Sequence, residues 1–180
     1  MKNFIDLNIL NPALAPFSRE VGWERTSTLN IVQLSSPRKI KNQPGELTVI
    51  ESPSPDVLAQ MCKKFEGDFD LINPLPAEKF FNSNALIEMA VARKKTFEIP
   101  IYPFLHSSLT SRAKLIGQTH KFLHTCAKRG IPFIFTSRAQ SEFDVKSPRE
   151  IIAFAQSLGV KPQEAAAAIS IVPAKLGETE

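Results

Sequence analysis

His120 and His124 stand four residues apart, the spacing at which two imidazoles share one helix face and can seat a metal ion. No acid is placed to complete a zinc motif with them, so the spacing reads as two solvated helix histidines. Asp6 and Asn8 lie on an apolar stretch near the start, where a barrel phosphoesterase would place metal-binding histidines. The one other histidine, His106, is far along the chain, so the ligand set for metal-dependent hydrolysis is missing. Cys62 and Cys126 match no ligand or disulfide spacing, which points to a reducing compartment. No Gly-x-Gly-x-x-Gly follows a strand-like run, and there is no Gly-Lys-Ser/Thr phosphate loop or Gly-x-Ser-x-Gly elbow. Nucleotide-cofactor chemistry and serine hydrolysis drop out on these grounds.

What remains is positive charge. The chain of 180 residues has a net charge of +4, but residues 107–149 alone carry +6, leaving −2 for the rest. A one-sided basic region suits phosphate binding, and it is equally what an ordinary solvated helix face looks like. Within 109–129, Leu115, Ile116, Thr119, Phe122, Leu123 and Cys126 form one stripe at helical spacing. Lys114, Lys121 and Lys128 fall opposite it, either as a solvated face or as phosphate contacts. Arg112 sits on the axis of the apolar stripe in the first turn, where it can meet a phosphate or pair with a strand-end acid such as Glu98. Arg138 follows the apolar run 132–135 directly, and Lys146 and Arg149 reach the same edge from the next loop and helix. In a parallel α/β unit that edge is where binding sites are built.

The elements that would position these groups alternate. Strand-like runs fall at 4–10, 28–34, 46–51, 69–73, 97–101, 132–136 and 168–172, short and often β-branched like buried parallel strands. Helical patterns occupy 12–22, 54–66, 84–95, 109–129, 148–158 and 162–168. Ser54-Pro55 reads as a cap with proline at the first helical position, and Ser147-Pro148-Arg149-Glu150 as a capping box. Gly130 and Gly159 read as helix stops. Residues 37–45 form a basic loop with no helical pattern. Alternation of this kind predicts a parallel α/β fold in one domain spanning 1–180. Whether the sheet is a barrel or doubly wound stays open on the pattern alone: a full eight-unit barrel typically needs about 250 residues, so a barrel here would be reduced and irregular in the N-terminal half, where connections such as 37–45 lack their helix. Hydrophobic residues at 43% and charged residues at 22% exclude a disordered or fibrous chain. No apolar run approaches the roughly 20 residues of a membrane span, and Asp6 and Asn8 interrupt the first apolar stretch as no signal-peptide core would be. The expectation is a soluble, cytoplasmic protein.

One stretch is more specific than any single pattern. Ser111-Arg112-Ala113, the long helix after it and Ile134-Phe135-Thr136-Ser137-Arg138-Ala139-Gln140-Ser141-Glu142-Phe143-Asp144-Val145-Lys146-Ser147-Pro148-Arg149-Glu150-Ile151-Ile152 closely resemble archaeal ribonuclease P protein component 3. That family includes the eukaryotic thirty-kilodalton subunit of ribonuclease P. The likeness continues through Leu158-Gly159-Val160, Glu164-Ala165 and Ala168-Ile169-Ser170, and upstream over 85–99, covering about residues 85–173. It implies a TIM-like α/β barrel acting as a protein subunit of the ribonucleoprotein endonuclease that cleaves precursor tRNA to leave the mature 5′ end. It further implies that RNA holds the catalytic Mg²⁺, that this chain carries no catalytic or metal-binding residue, and that it pairs with component 2 among other protein subunits. Arg112, Arg138, Lys146 and Arg149 would then contact RNA phosphates, with Lys114, Lys121 and Lys128 as further candidates. The alternatives are a metal-dependent phosphoesterase on a related barrel and a protein-binding scaffold that never touches RNA.

Overall fold

A computed structural model describes residues 3–41 and 45–177, so Asn42, Gln43 and Pro44 of the expected basic loop lie outside the described residues. Its strands are β1 (Ile5–Asp6), β2 (Arg25–Thr26), β3 (Asn30–Gln33), β4 (Thr48–Glu51), β5 (Leu71–Asn73), β6 (Thr96–Pro100) and β7 (Phe133–Thr136). The helices are α1 (Ala15–Glu20), α2 (Pro55–Lys64), α3 (Asn84–Ala92), α4 (Tyr102–His106), α5 (Leu109–Arg129), α6 (Pro148–Ser157), α7 (Pro162–Ala167) and α8 (Ile171–Gly177). β3 to β7 form one five-stranded sheet in chain order, and β1 pairs with β2; every pairing is parallel.

Hydrogen bonds from single residues carry the curvature around to β1. On one side Leu29 donates its amide to Asn8 Oδ1 at 3.4 Å. On the other, Phe135 N–H reaches the Ala168 carbonyl at 3.4 Å, while Ile5 N–H reaches the Ile169 carbonyl at 2.8 Å. Residues 168–169 thus stand where an eighth strand would. They are not one: the Ser170 amide and hydroxyl turn back to Ala167 and Ala166, and α8 starts at once. The strand expected at 168–172 is therefore corrected to a turn and a helix. The apolar pattern suits either element, because buried strands and buried helical turns look alike over five residues.

Side-chain alternation divides the interior in two. Val49, Leu71 and Ile134 pack with Ile5, Leu7 and Leu29 on the inner face. Ile50, Ile72, Phe97, Ile99, Phe133 and Phe135 point the other way, into the larger core under the helices. Two residues on from Val49, Leu71 and Ile134 come Glu51, Asn73 and Thr136, and Glu98 lies between Phe97 and Ile99. With a period of two, these four polar side chains must face inward at the strands' C-terminal ends. α5 is held against the outer core by Phe122, edge-on to Phe80 and Phe97 at 5.3 and 4.8 Å between ring centres. Its start is capped by Ser108 Oγ, and Gly130 ends it at φ +66°, a conformation that favours glycine. Cys62 and Cys126 are free and buried, and burial pushes their thiols up to about 11 and about 12.

Candidate functional site

The C-terminal edge of the sheet gathers polar side chains from five strands and the loop after β7. Arg138, in that loop, takes a left-handed backbone (φ +48°) while its amide donates to the Asn8 carbonyl at 2.8 Å. That turns the guanidinium inward rather than out to the rim. Nη1 meets Glu51 Oε2 at 2.9 Å; Nη2 and Nε meet Glu98 Oε2 and Oε1 at 2.5 and 3.2 Å. Further donors reach the same carboxylates. Asn8 Nδ2 and the Thr136 hydroxyl both donate to Glu98 Oε1 at 2.7 Å, while Asn73 Nδ2 and Gln33 Nε2 donate to Glu51 at 2.8 and 3.1 Å. Burial disfavours the charged guanidinium, but the two carboxylates more than offset that and hold its pKa above the ordinary value. Beside this cluster, the buried Asp6 accepts hydrogen bonds from the amides of Ser137 and Asn8, all at 3.2 Å. Burial raises its pKa to about 6 against the pull of those bonds.

Chemically this is a closed network. It pairs a forked cation with two carboxylates, a geometry suited to fixing loop against sheet. A nucleophile with a neighbouring base is not among its members, and Glu51 and Glu98 have their oxygens occupied. Among the described residues no three or more His, Cys, Asp or Glu come together as a metal cluster. The placement of Arg138 on the rim is corrected: it lies inside, with its side chain 11% exposed.

Arg112 is half-buried, and it too makes structural bonds. Its Nη2 donates to the carbonyls of Leu105 and Ser107 at 2.9 and 3.0 Å, closing the C-terminal end of α4, while its Nε is buried without a partner. The ion pair with Glu98 considered from the sequence is therefore not made, because Arg138 holds that carboxylate. Arg112 borders an apolar cleft of about 240 Å³ between α4, α5 and α6, walled by Phe104, Leu105, Ile116 and Phe154. Leu109 and Phe143, at the same edge of the sheet, are 82% and 89% exposed. The turn that carries Phe143 is braced by Asp144. Asp144 accepts from the Ser141 amide and hydroxyl and the Gln140 amide, and pairs with His106 Nε2 at 2.6 Å. Burial works against the ionised form of Asp144, yet these bonds hold its pKa below the usual carboxylate range. Lys146 Nζ donates to the Phe143 carbonyl at 2.6 Å. Arg149 is exposed in the first turn of α6, whose capping box is formed as expected, with Glu150 accepting from the Ser147 amide and hydroxyl.

Lys114, Lys121 and Lys128 are all exposed on α5. The structure thus separates the seven candidates into three places: Arg138 in the mouth at the strands' C-terminal ends; Arg112, Lys146 and Arg149 along the edge; and three lysines down the outer wall. His120 and His124 are exposed on α5, as expected, and His120 also bonds the Leu158 carbonyl through Nδ1 at 3.0 Å.

A family model described as RNase P subunit p30 matches residues 30–178. The chain belongs to the ribonuclease P subunit p30 family. It is 31% identical to ribonuclease P protein component 3 of Methanosarcina mazei over 108 residues, 59% of this chain and 45% of that protein. To component 3 of Methanothermobacter thermautotrophicus it is 29% identical over 96 residues, covering 53% and 39%. The matched region thus spans less than half the length of these relatives. The fold is also that of one chain in a cryo-EM structure of archaeal ribonuclease P with mature tRNA. The TM-score is 0.79 at 15% identity, over 97% of this chain and 90% of that one.

Within the p30 family chain, the network of Asp6, Asn8, Glu51, Asn73 and Glu98 is what sequence reasoning missed. A signal was present. Glu51 and Glu98 each end or interrupt an apolar strand at an inward position, and an acid there requires a cation.

Proposed function

We propose that this chain is a protein subunit of ribonuclease P, binding and supporting the catalytic RNA that cleaves precursor tRNA to leave mature 5′ ends. The family match across residues 30–178 is the observation that carries the reading. The geometry agrees with it: the mouth at the strands' C-terminal ends is filled by its own Arg138–Glu51–Glu98 network, while the other cations line the outside. In this reading the RNA holds the Mg²⁺ that supplies the cleavage chemistry, and the chain's part is to bind and orient. Lys146, Arg149, Lys114, Lys121 and Lys128 contact phosphates. Arg112 and Arg138 serve the fold that presents them. Component 2 and other protein subunits are the protein partners, and the exposed Leu109 and Phe143 beside the apolar cleft support a protein contact at that edge. No helix of the described residues is long and apolar enough to cross a membrane, in keeping with a cytoplasmic site of action.

The metal-dependent phosphoesterase has no observation in its favour, since the inward carboxylates are committed to hydrogen bonds. Reconstitution decides the matter. Precursor-tRNA cleavage by the cognate RNA, assembled with its other protein subunits, is measured with and without this chain, and the chain is also assayed alone. A subunit raises the rate of the assembly and cleaves nothing by itself. An assembly indifferent to the chain, or cleavage by the chain alone, overturns the reading.

A further inference from the structure

We propose that one RNA strand crosses the outer wall of α5 on a diagonal and is held at each end by a lysine-lined cleft. This rests on the RNA-binding reading and adds where the strand runs. Residues seven apart on a 3.6-residue helix fall short of two full turns by about 20°. Lys114, Lys121 and Lys128 therefore make a slanted row, not one parallel to the axis. The row drifts across α5 while descending 14 residues, about 21 Å.

Each end of the slant meets a cleft contributed by a different neighbour. At the upper end, Lys114 and Gln118 share a cleft of about 350 Å³ with Lys79 from the loop after β5. At the lower end, Lys128 and His124 share one of about 250 Å³ with Lys161, just ahead of α7. Midway, Lys121 Nζ lies 5.7 Å from the centre of the Phe81 ring, so its ammonium is held over the wall rather than sweeping freely. The lower cleft depends on a close approach: Gly159 lines it with φ +82°, and its bare Cα lets the His120 ring lie against Leu158.

The ammonium groups of Lys79, Lys114, Lys128 and Lys161 make no hydrogen bond or ion pair among the described residues. Each cleft holds one acid, Glu78 above and Glu164 below, against two lysines, so both remain positive. Five cations along a line of this length, with concave ends, match an evenly charged phosphodiester backbone. The barrel edge near Phe143 is the contrast: it is apolar, and its Lys146 is already bonded to a carbonyl.

The test uses the full chain, with a labelled 20-nucleotide oligouridine and a tRNA transcript as probes in anisotropy titrations at several salt concentrations. Three paired variants are compared: Lys79→Gln with Lys114→Gln, Lys128→Gln with Lys161→Gln, and Lys63→Gln with Lys64→Gln on α2 as the unaffected control. Circular dichroism melting checks that these exposed changes leave the fold intact. Each end pair is expected to weaken RNA binding about tenfold or more, and to flatten the slope of log affinity against log salt by about 1.4. Binding by the wild type that both end pairs leave within twofold overturns the track. If Lys146→Gln with Arg149→Gln then abolishes it, the RNA reading stands with its contacts on the rim. No RNA binding by the wild type even at low salt overturns both readings. End pairs that lose a polyglutamate probe and keep RNA assign the track to an acidic peptide, and overturn the proposal.

Discussion

Removing the Arg138 side chain leaves Glu51 and Glu98 buried without their cation, a change that costs roughly 3–5 kcal/mol for a buried pair. Arg138→Met is expected to lower unfolding free energy by that order in urea titrations. Arg138→Lys recovers part of it, because one ammonium cannot serve both carboxylates in the forked geometry. Asp6 gives a second, pH-dependent effect. Its pKa is raised from 3.8 to about 6 in the folded chain, so between these values the folded state holds a proton that the unfolded state releases. Stability from this group is present below pH 3.8 and is lost as pH rises through 6. The whole difference is about 3 kcal/mol at 1.36 kcal/mol per unit. Asp6→Asn does not titrate there, so the wild type should lose ground to that variant between pH 4 and 6.5 in paired melts. At this scale the sequence was legible for residue type and not for direction. A basic residue just after a strand reads as a rim residue, and only the left-handed backbone at Arg138 sends its side chain inward.

Helix ends carry the next set of consequences. Because Arg112 caps α4 through the carbonyls of Leu105 and Ser107, Arg112→Ala should destabilise by about 1–3 kcal/mol. RNA affinity per folded molecule should stay unchanged, a combination that melting and binding measured on the same sample will separate. Gly159→Ala meets two penalties: φ +82°, and a Cβ that would lie 2.7 Å from His120 Cε1. About 1–3 kcal/mol of lost stability is expected, read by urea titration. In the background of His120→Ala the steric part vanishes and only the backbone part remains. Helices α2, α3, α5, α6 and α7 were legible within a few residues, because each has a cap signal or a sustained apolar stripe. Two helices and a strand were not. β2 is two residues long, α4 is five residues with a proline in its first turn, and α8 hides inside a run that also suits a strand. Ser54 stands at the α2 cap position as read, yet its side chain makes no capping bond.

For the whole molecule, net charge matters through where it is free. Five exposed or edge cations of the original seven, Lys114, Lys121, Lys128, Lys146 and Arg149, remain for phosphate after Arg112 and Arg138 are committed inside. With about 0.7–0.9 counterions released per contact, log affinity for RNA should fall against log salt with a slope of roughly −3 to −5. A slope near zero across 50–300 mM salt would be inconsistent with backbone contacts and favour a protein scaffold. The parallel α/β layout was legible because strand and helix patterns alternate along the chain. The separation of basic residues into mouth, edge and wall was not, since it depends on which way each loop turns.

The partners of the Arg138 network are far apart along the chain, and that bears on the order of synthesis. Glu51 and Glu98 leave the ribosome well before Arg138, so the strands bearing them emerge with inward carboxylates and no cation to meet. β3 to β6 therefore appear with no guanidinium to neutralise those carboxylates. The network is complete only once residue 138 is out, so the loop after β7 brings the last of its charged partners in the order of translation. A nascent chain with residue 138 still inside the ribosome leaves both carboxylates without their cation, and only one from which it has emerged can form the lock.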